Sequence, residues 1–198
     1  MKQKIEKDKG LIFVVSGPSG SGKTTLVDKV VKEAHLRDKL VRSISVTTRK
    51  KRSGETEGRD YFFLSRREFR QRSKARQFLE HTKYLGCYYA TPKDFVEAQI
   101  SRHKHIILCL DLKGAVSVKR FYPKNTVTIF ILPPSLAVLR ERIERRCNKT
   151  KKKEIRQRLK LAKREFEACR RYDHCLINKN LQQAARELRR IILRKIDK

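Results

Sequence analysis

A short apolar run, LIFVVS (11–16), leads directly into GPSGSGKTT (17–25). The second stretch fills the pattern G-x-x-x-x-G-K-S/T with Gly17, Gly22, Lys23 and Thr24, and a third glycine, Gly20, stands inside it. Glycines at these places let successive backbone N–H groups turn inward around a multiply charged anion. From Thr24 onward, Leu26, Val27, Val30, Val31 and Ala34 recur at helical spacing. Strand, phosphate loop and helix therefore come in an order that points the positive end of the helix at the bound anion. Lys23 is placed to bridge terminal phosphates, and the Thr24 hydroxyl to join Mg²⁺.

The remainder of the chain repeats the alternation of strand and helix. HIILCLDL (105–112) reads as a second buried strand, TVTIFIL (126–132) as a third closed by Pro133 and Pro134, and HCLIN (174–178) as a short fourth. Helical patterns cover Phe95 to Ile100, then Leu136, Leu139 and Ile143, then Ile155, Leu159, Ala162 and Phe166, and finally Leu181 to Ile192. The pattern predicts an α/β fold, a parallel sheet flanked by helices with ligands at the carboxyl ends of its strands. Residues 41–92 break the rhythm. Their β-branched and aromatic pieces SISVTT, DYFFL and CYYAT, set among Gly54, Gly58 and Gly86, predict a small mixed-sheet insertion. Between Arg145 and Arg164 eleven of twenty residues are basic and one is acidic, and such crowding predicts a mobile, anion-seeking flap.

The length of 198 residues suits one domain. With 51 Lys and Arg against 21 Asp and Glu, the net charge is +30, and the field draws in phosphates, nucleotides, nucleic acid or anionic lipid. The cations are scattered, so nucleic-acid contact is expected only as non-specific electrostatic binding. Cys87, Cys109, Cys147, Cys169 and Cys175 form no C-x-x-C pair and leave an odd one over, which predicts neither a disulfide framework nor a zinc site, and a reduced cytoplasm as the compartment. His103, His105 and His174 do not complete a set of four metal ligands either. The charged start, MKQKIEKDKG, and an apolar run of only six residues write neither a signal peptide nor a membrane span, and a soluble protein is expected.

Five motifs in order, SGPSGSGKTTL, SISVTTR, GETEGRDYFFL, FLEHTKYLGCYY and FILPPS, resemble the guanylate kinase family over the chain from about Leu11 to Ile192. The resemblance implies a P-loop nucleoside monophosphate kinase that transfers the γ-phosphoryl group of MgATP to GMP, working as a monomer or homodimer. It implies a core of residues 10–40, 93–141 and 159–198, a GMP-binding insertion at 41–92 and a helical lid at 142–158. Gly17, Pro18, Ser19, Gly20, Ser21, Gly22, Lys23, Thr24 and Thr25, with Asn178, would bind ATP, and Thr24 would also meet Mg²⁺. Guanine offers two adjacent donors that a single carboxylate can accept side by side, while its O6 wants a donor. The resemblance points to Glu80 as that carboxylate, with Ser45 and Thr91 as hydroxyl partners and Asp111 as a further substrate residue. Arg49 and Arg52 match the family's clamp on the GMP phosphate, joined by Tyr61 and Tyr89, with Glu55 holding an arginine from behind. Lys23, Arg142, Arg146 and Arg158 would stabilise the charge that develops on the transferred group.

The chain also departs from the family pattern. Where the family usually carries two acidic residues spaced by one, the first is here Cys109 and only Asp111 remains. A thiol is a poor partner for a hard cation, so magnesium is expected to be held mainly through Thr24 and the phosphates. Arg145 and Cys147 replace the lid glycines, and Lys179 and Asn180 replace acids after Asn178. A second reading is a catalytically impaired relative whose basic surface binds nucleic acid or protein. Lys23 and Thr24 speak against it, because scaffold domains of this kind have typically lost the phosphate loop. Ser45 and Glu80 speak against a P-loop sugar-phosphate kinase.

Overall fold

The computed structural model describes residues 9–146 and 152–197. Strand β1 (Ile12–Ser16) is buried at every position, as a strand covered by helices on both faces must be. Its side chains divide by alternation. Phe13 and Val15 pack with Leu26, Val27 and Val30 of helix α1 (Lys23–Val31), whereas Ile12 and Val14 enter the cluster on the opposite face. A single turn, α2 (Ala34–Arg37), then leads to β2 (Leu40–Arg42).

The chain next builds a second, smaller sheet from β3 (Val46–Thr47), β4 (Phe62–Phe63), β5 (Phe78–Tyr84) and β6 (Cys87–Pro92), with helix α3 (Arg66–Lys74) between β4 and β5. The sheet is mixed: β3 runs parallel to β4 and antiparallel to β6, and β5 and β6 form an antiparallel hairpin. Helix α3 starts at a Ser65–Glu68 capping box and buries only Phe69, whose ring lies 4.8 Å from Phe78 and 5.1 Å from Tyr88.

The core resumes with α4 (Lys93–Ser101), β7 (His105–Cys109), α5 (Leu112–Phe121), β8 (Thr126–Leu132), α6 (Leu136–Arg146), α7 (Lys152–Ala168), β9 (His174–Ile177) and α8 (Leu181–Ile196). The main sheet has the order β2-β7-β1-β8-β9, and every pairing in it is parallel. β1 sits in the middle, between strands that arrive much later in sequence. Its carboxyl end is therefore the crevice where such sheets receive ligands.

Two expectations need correction, and one between them is met. The run HIILCLDL is a strand only as far as Cys109, because the Asp111 carboxylate accepts from Gly114 N at 2.8 Å and starts α5. The helical patterns expected on either side of and within the basic segment are present as α6 and α7. Leu139, Ile143 and Ala162 are buried where α6 meets α7, with Ile155, Leu159 and Phe166 packed around them. Each buried aliphatic side chain is worth about 1.5–3 kcal/mol, against a few tenths for an exposed like-charge pair, so the apolar stripe wins. Finally, Cys169 and Cys175 are joined in a disulfide, with Cα atoms 6.1 Å apart. A 3₁₀ turn at Cys169–Arg171 and the entry into β9 reverse the chain between them. Asp173 anchors the reversal by accepting from Thr128 N and Lys119 Nζ. Cys87 and Cys109 are free thiols. Among the described residues no helix is long and apolar enough to cross a membrane.

Leu139 is fully buried between α6 and α7. Leu139→Ala should cost about 2–5 kcal/mol, read as a lower urea midpoint with an unchanged slope. A midpoint equal to wild type would show that the two helices do not depend on this contact.

Candidate active site

A cleft of about 1490 Å³ runs from the carboxyl edge of the main sheet to the second sheet. It exceeds the roughly 300–1,000 Å³ that holds one drug-sized ligand, so two nucleotide-sized molecules fit its scale. The phosphate loop forms one end. Gly22 has φ +91°, and a methyl group there would come within 2.4 Å of Asn178 Nδ2, which donates to Ser21 O at 2.8 Å. Gly17, at φ +142°, is pressed onto Ile131 O, 2.2 Å from where a Cβ would lie. Only glycine satisfies both the conformation and the space. Lys23 Nζ donates to Gly17 O at 2.5 Å and Pro18 O at 3.1 Å, folding the ammonium back over the loop. Ser19, Gly20, Thr24 and Thr25 face the cleft, whereas Pro18 and Ser21 lie behind it, joined by a Ser21 N to Pro18 O bond of 3.0 Å.

Glu80 stands at the other end. The β5–β6 register shifts between Phe78 and Glu80, and such a bulge re-aims side chains. Leu79 turns into the core cluster and Glu80 lines the cleft while only 7 % exposed. Thr91, wholly buried on β6, donates its hydroxyl to Glu80 Oε1 at 2.7 Å, so it lies behind the carboxylate and not in the cleft lining. A Cβ at Gly114 would sit 2.8 Å from Glu80 Oε2, and the glycine leaves room for this oxygen. Burial pushes the Glu80 carboxyl up to about 7, with the charge of Asp111 adding to the shift and the Thr91 hydroxyl opposing it. Asp111 also lines the cleft, with one oxygen engaged by Gly114 N and the other by Thr82 Oγ1, 2.8 Å away.

Cations occupy the space between these ends. Arg49 donates to both oxygens of Glu55, at 2.7 and 3.0 Å, and Glu55 also accepts from Arg52 N at 2.9 Å. Glu55 is outside the cleft lining and fixes the loop that carries both arginines into it. Tyr61 and Tyr89 meet edge to face at 6.0 Å, with the Arg49 guanidinium 5.4 Å from the Tyr61 ring, and Ser45 lines the same region. From the opposite side, Arg142 of α6 donates through one nitrogen to Asn178 O at 3.0 Å, while its buried NH1 has no hydrogen-bond partner. A buried guanidinium nitrogen left in that state is a place for an anion. Arg158 of α7, only 7 % exposed, reaches Ser19 Oγ at 3.1 Å. The Arg146 side chain lies outside the described residues.

Several cleft residues escaped the sequence reading although periodicity holds their signal. Alternation along β5 puts Thr82 and Tyr84 on the face of Glu80, and all three line the cleft. On α7, Glu165 follows Arg158 by seven residues, and it too faces the cleft. Burial raises its carboxyl above the ordinary range, against the pull of Lys23. Asp28 follows Thr24 by four residues on α1 and is paired with Arg42. Cys109 lines the floor, its thiol pushed up by burial. Among the described residues no group of three His, Cys, Asp or Glu converges as a metal site.

A glycine loop between the central parallel strand and its helix, opening on a cleft of arginines, defines a P-loop nucleotide-binding protein of the α/β class. Comparison with known proteins narrows this. The guanylate kinase family model matches residues 9–195. The guanylate kinase of Thermotoga maritima is 43% identical over 89% of this chain and 83% of its own length, and that of Wolbachia pipientis wMel is 38% identical over 94% and 90%. A crystal structure of guanylate kinase from Anaplasma phagocytophilum superposes with a TM-score of 0.79 at 30% identity, covering 97% of this chain and 89% of that one. The chain belongs to the guanylate kinase family.

The raised Glu80 carboxyl sets a test of its surroundings. Between its ordinary value of 4.5 and about 7 the folded chain keeps a proton that the unfolded chain has released, so stability falls as pH rises through that window. The full loss is on the order of 3 kcal/mol at 1.4 kcal/mol per unit. Glu80→Gln should match wild type near pH 4 and be the more stable protein at pH 8. Denaturation curves that stay parallel across this range would contradict the assigned environment.

Proposed function

We propose that the protein transfers the γ-phosphoryl group of ATP, carried with Mg²⁺, to GMP, giving ADP and GDP in the cytoplasm. The observation that carries this reading is the carboxylate of Glu80, which faces the cleft at the end opposite the phosphate loop and is the only deeply buried carboxylate among the described residues. Once ionised, Glu80 accepts from N1–H and the exocyclic amine of guanine together. Adenine would set its own N1 acceptor against that carboxylate, leaving two buried acceptors facing each other. Residues 41–92 are assigned to the acceptor and residues 142–158, of which 147–151 lie outside the described residues, to the donor.

Arg49 and Arg52, with Tyr61 and Tyr89, hold the GMP phosphate, and the planar fork of each guanidinium suits paired phosphate oxygens. The loop amides and Lys23 hold the ATP phosphates. With the tails of both nucleotides on one line, the acceptor oxygen attacks the γ-phosphorus as the bond to ADP breaks. That oxygen is already anionic, so positioning and charge neutralisation do most of the work and no general base is needed. The partnerless Arg142 nitrogen and the Arg158 guanidinium stand where the transferred charge spreads, and Arg146 is assigned to the same task. Magnesium, when present, neutralises the phosphate oxygens. The Thr24 hydroxyl in the cleft would hold it, with the phosphate oxygens of the nucleotide as its further hard ligands.

An ADP-release assay with MgATP and GMP, AMP, CMP or UMP tests the assignment. Turnover is expected with GMP alone, and Lys23→Ala should reduce it by about 10³-fold or more. Comparable rates with AMP would overturn the role of Glu80, and an active Lys23→Ala protein that of the loop.

A further inference from the structure

Away from the cleft, a second cavity of about 550 Å³ opens where β9 meets α8. Its volume is that of a small-molecule site. Glu187, Arg190 and Arg194, spaced by three and four residues, share one face of α8 and form one wall together with Lys195. His174 and Cys175 of β9 form the other. The lining thus sets three cations against one acid, with a sulfur beside them.

That sulfur belongs to the Cys169–Cys175 disulfide. Cys175 is exposed and Cys169 half-buried, so an incoming thiolate reaches Cys175 first. Attack there expels Cys169 as the leaving thiolate. Cys169 opens the 3₁₀ turn that continues with Arg170 and Arg171, whose charges offset the negative end of α7 at which this thiolate forms. His174 adds a polar contact still to be made, since its Nε2 is buried and has no hydrogen-bond partner. The bridge is also a covalent tie between the end of α7, the helix that carries Arg158, and β9, which runs into Asn178.

We propose that Cys175 is a modification site for an anionic low-molecular-weight thiol of the glutathione class, whose carboxylates are received by Arg190, Arg194 and Lys195. The inference stands apart from phosphoryl transfer. In the exchange the ligand's thiolate bonds to the Cys175 sulfur as the Cys169–Cys175 bond breaks, and the Cys169 thiolate takes up the proton that the ligand's thiol gave to water. One disulfide replaces another, so no outside oxidant is needed. A glutathionyl group carries two carboxylates and one ammonium, and the three cations with Glu187 are the complementary set. The adduct unties the end of α7 from β9.

Cys169→Ser in the full chain removes the sulfur that would expel the adduct and leaves Cys175 as a thiol. It is treated with glutathione disulfide, with uncharged hydroxyethyl disulfide and with cationic cystamine, and the adduct is located by peptide mass spectrometry. Here the Cys175 thiolate attacks the reagent and releases half of it as a thiolate, which gives the same mixed disulfide. Each rate is divided by that of the reagent with a short uncharged cysteine peptide, which removes differences between leaving thiols. So normalised, glutathione disulfide should modify Cys175 at least about tenfold faster than the neutral reagent, and cystamine should be the slowest. The advantage should shrink at about 1 M salt. Arg190 and Arg194 are exposed, and replacing both by Gln should bring the first two rates to within about twofold of each other. In wild type the corresponding thiols, glutathione, 2-mercaptoethanol and cysteamine, should open the bridge in the same order. Equal rates for the three reagents, a glutathione preference that survives loss of both arginines, or faster modification of Cys169 in Cys175→Ser than of Cys175 in Cys169→Ser overturns the site.

Discussion

The phosphate loop is clamped from two sides, and the rest of the site is arranged around that clamp. Gly17 lies against the Ile131 carbonyl of β8, and Gly22 lies against the Asn178 amide that follows β9. Asn178 in turn donates to Ser21 O and, through its backbone carbonyl, receives Arg142. A loop of this kind cannot be an autonomous turn. Its inward-facing amides stay in place because the ends of β1, β8 and β9 hold the backbone where glycine alone fits. The parallel sheet is thus the tool that shapes the anion site, and the central position of β1 follows from that requirement.

The second sheet imposes the complementary condition. A carboxylate buried to the depth of Glu80 resists ionisation, and the neighbouring Asp111 makes this worse. Thr91 compensates only in part, with one hydrogen bond. The unliganded site is therefore poised between a protonated and an ionised acid near neutral pH. A ligand that offers two adjacent N–H donors removes this frustration, whereas one that offers an acceptor deepens it. On the proposed function, discrimination between bases would come from the cost of leaving a buried oxygen unpaired, which is larger than the net gain of making one more hydrogen bond.

Much of this was legible in the sequence, for reasons that differ from residue to residue. The loop was plain because no other residue type can replace its glycines, and β1 and β8 because strands buried on both faces read as unbroken apolar runs. Helix α5 was hidden by the Leu-Asp-Leu that ends the β7 run, since a capping aspartate looks like any polar residue until its Gly114 partner is known. The lid-side helices were legible despite eleven cations in twenty residues, because apolar positions at helical spacing outweigh the charge. The disulfide left no usable trace. Its cysteines are six residues apart, and only the turn between them makes them neighbours. Thr82, Tyr84 and Glu165 were readable in principle, one strand step or two helical turns from residues already singled out.

Cys109 bears on how charge is handled at the centre of the cleft. With a thiol where a carboxylate could have stood, the acids that share the cleft around the phosphate loop are Asp28, Asp111 and Glu165. Asp111 spends its oxygens on Gly114 and Thr82, and Asp28 is paired with Arg42. Asp111 thus carries one hydrogen bond on each oxygen, whereas the ion pair of Asp28 takes one of its two oxygens. On the proposed function the donor phosphates meet chiefly positive groups and amide dipoles, in a chain whose net charge of +30 already favours polyanions. A metal that enters such a site has its strongest ligands on the nucleotide. On the proposed function a bound magnesium would be held chiefly by the phosphate oxygens of the nucleotide, with the Thr24 hydroxyl as its protein ligand.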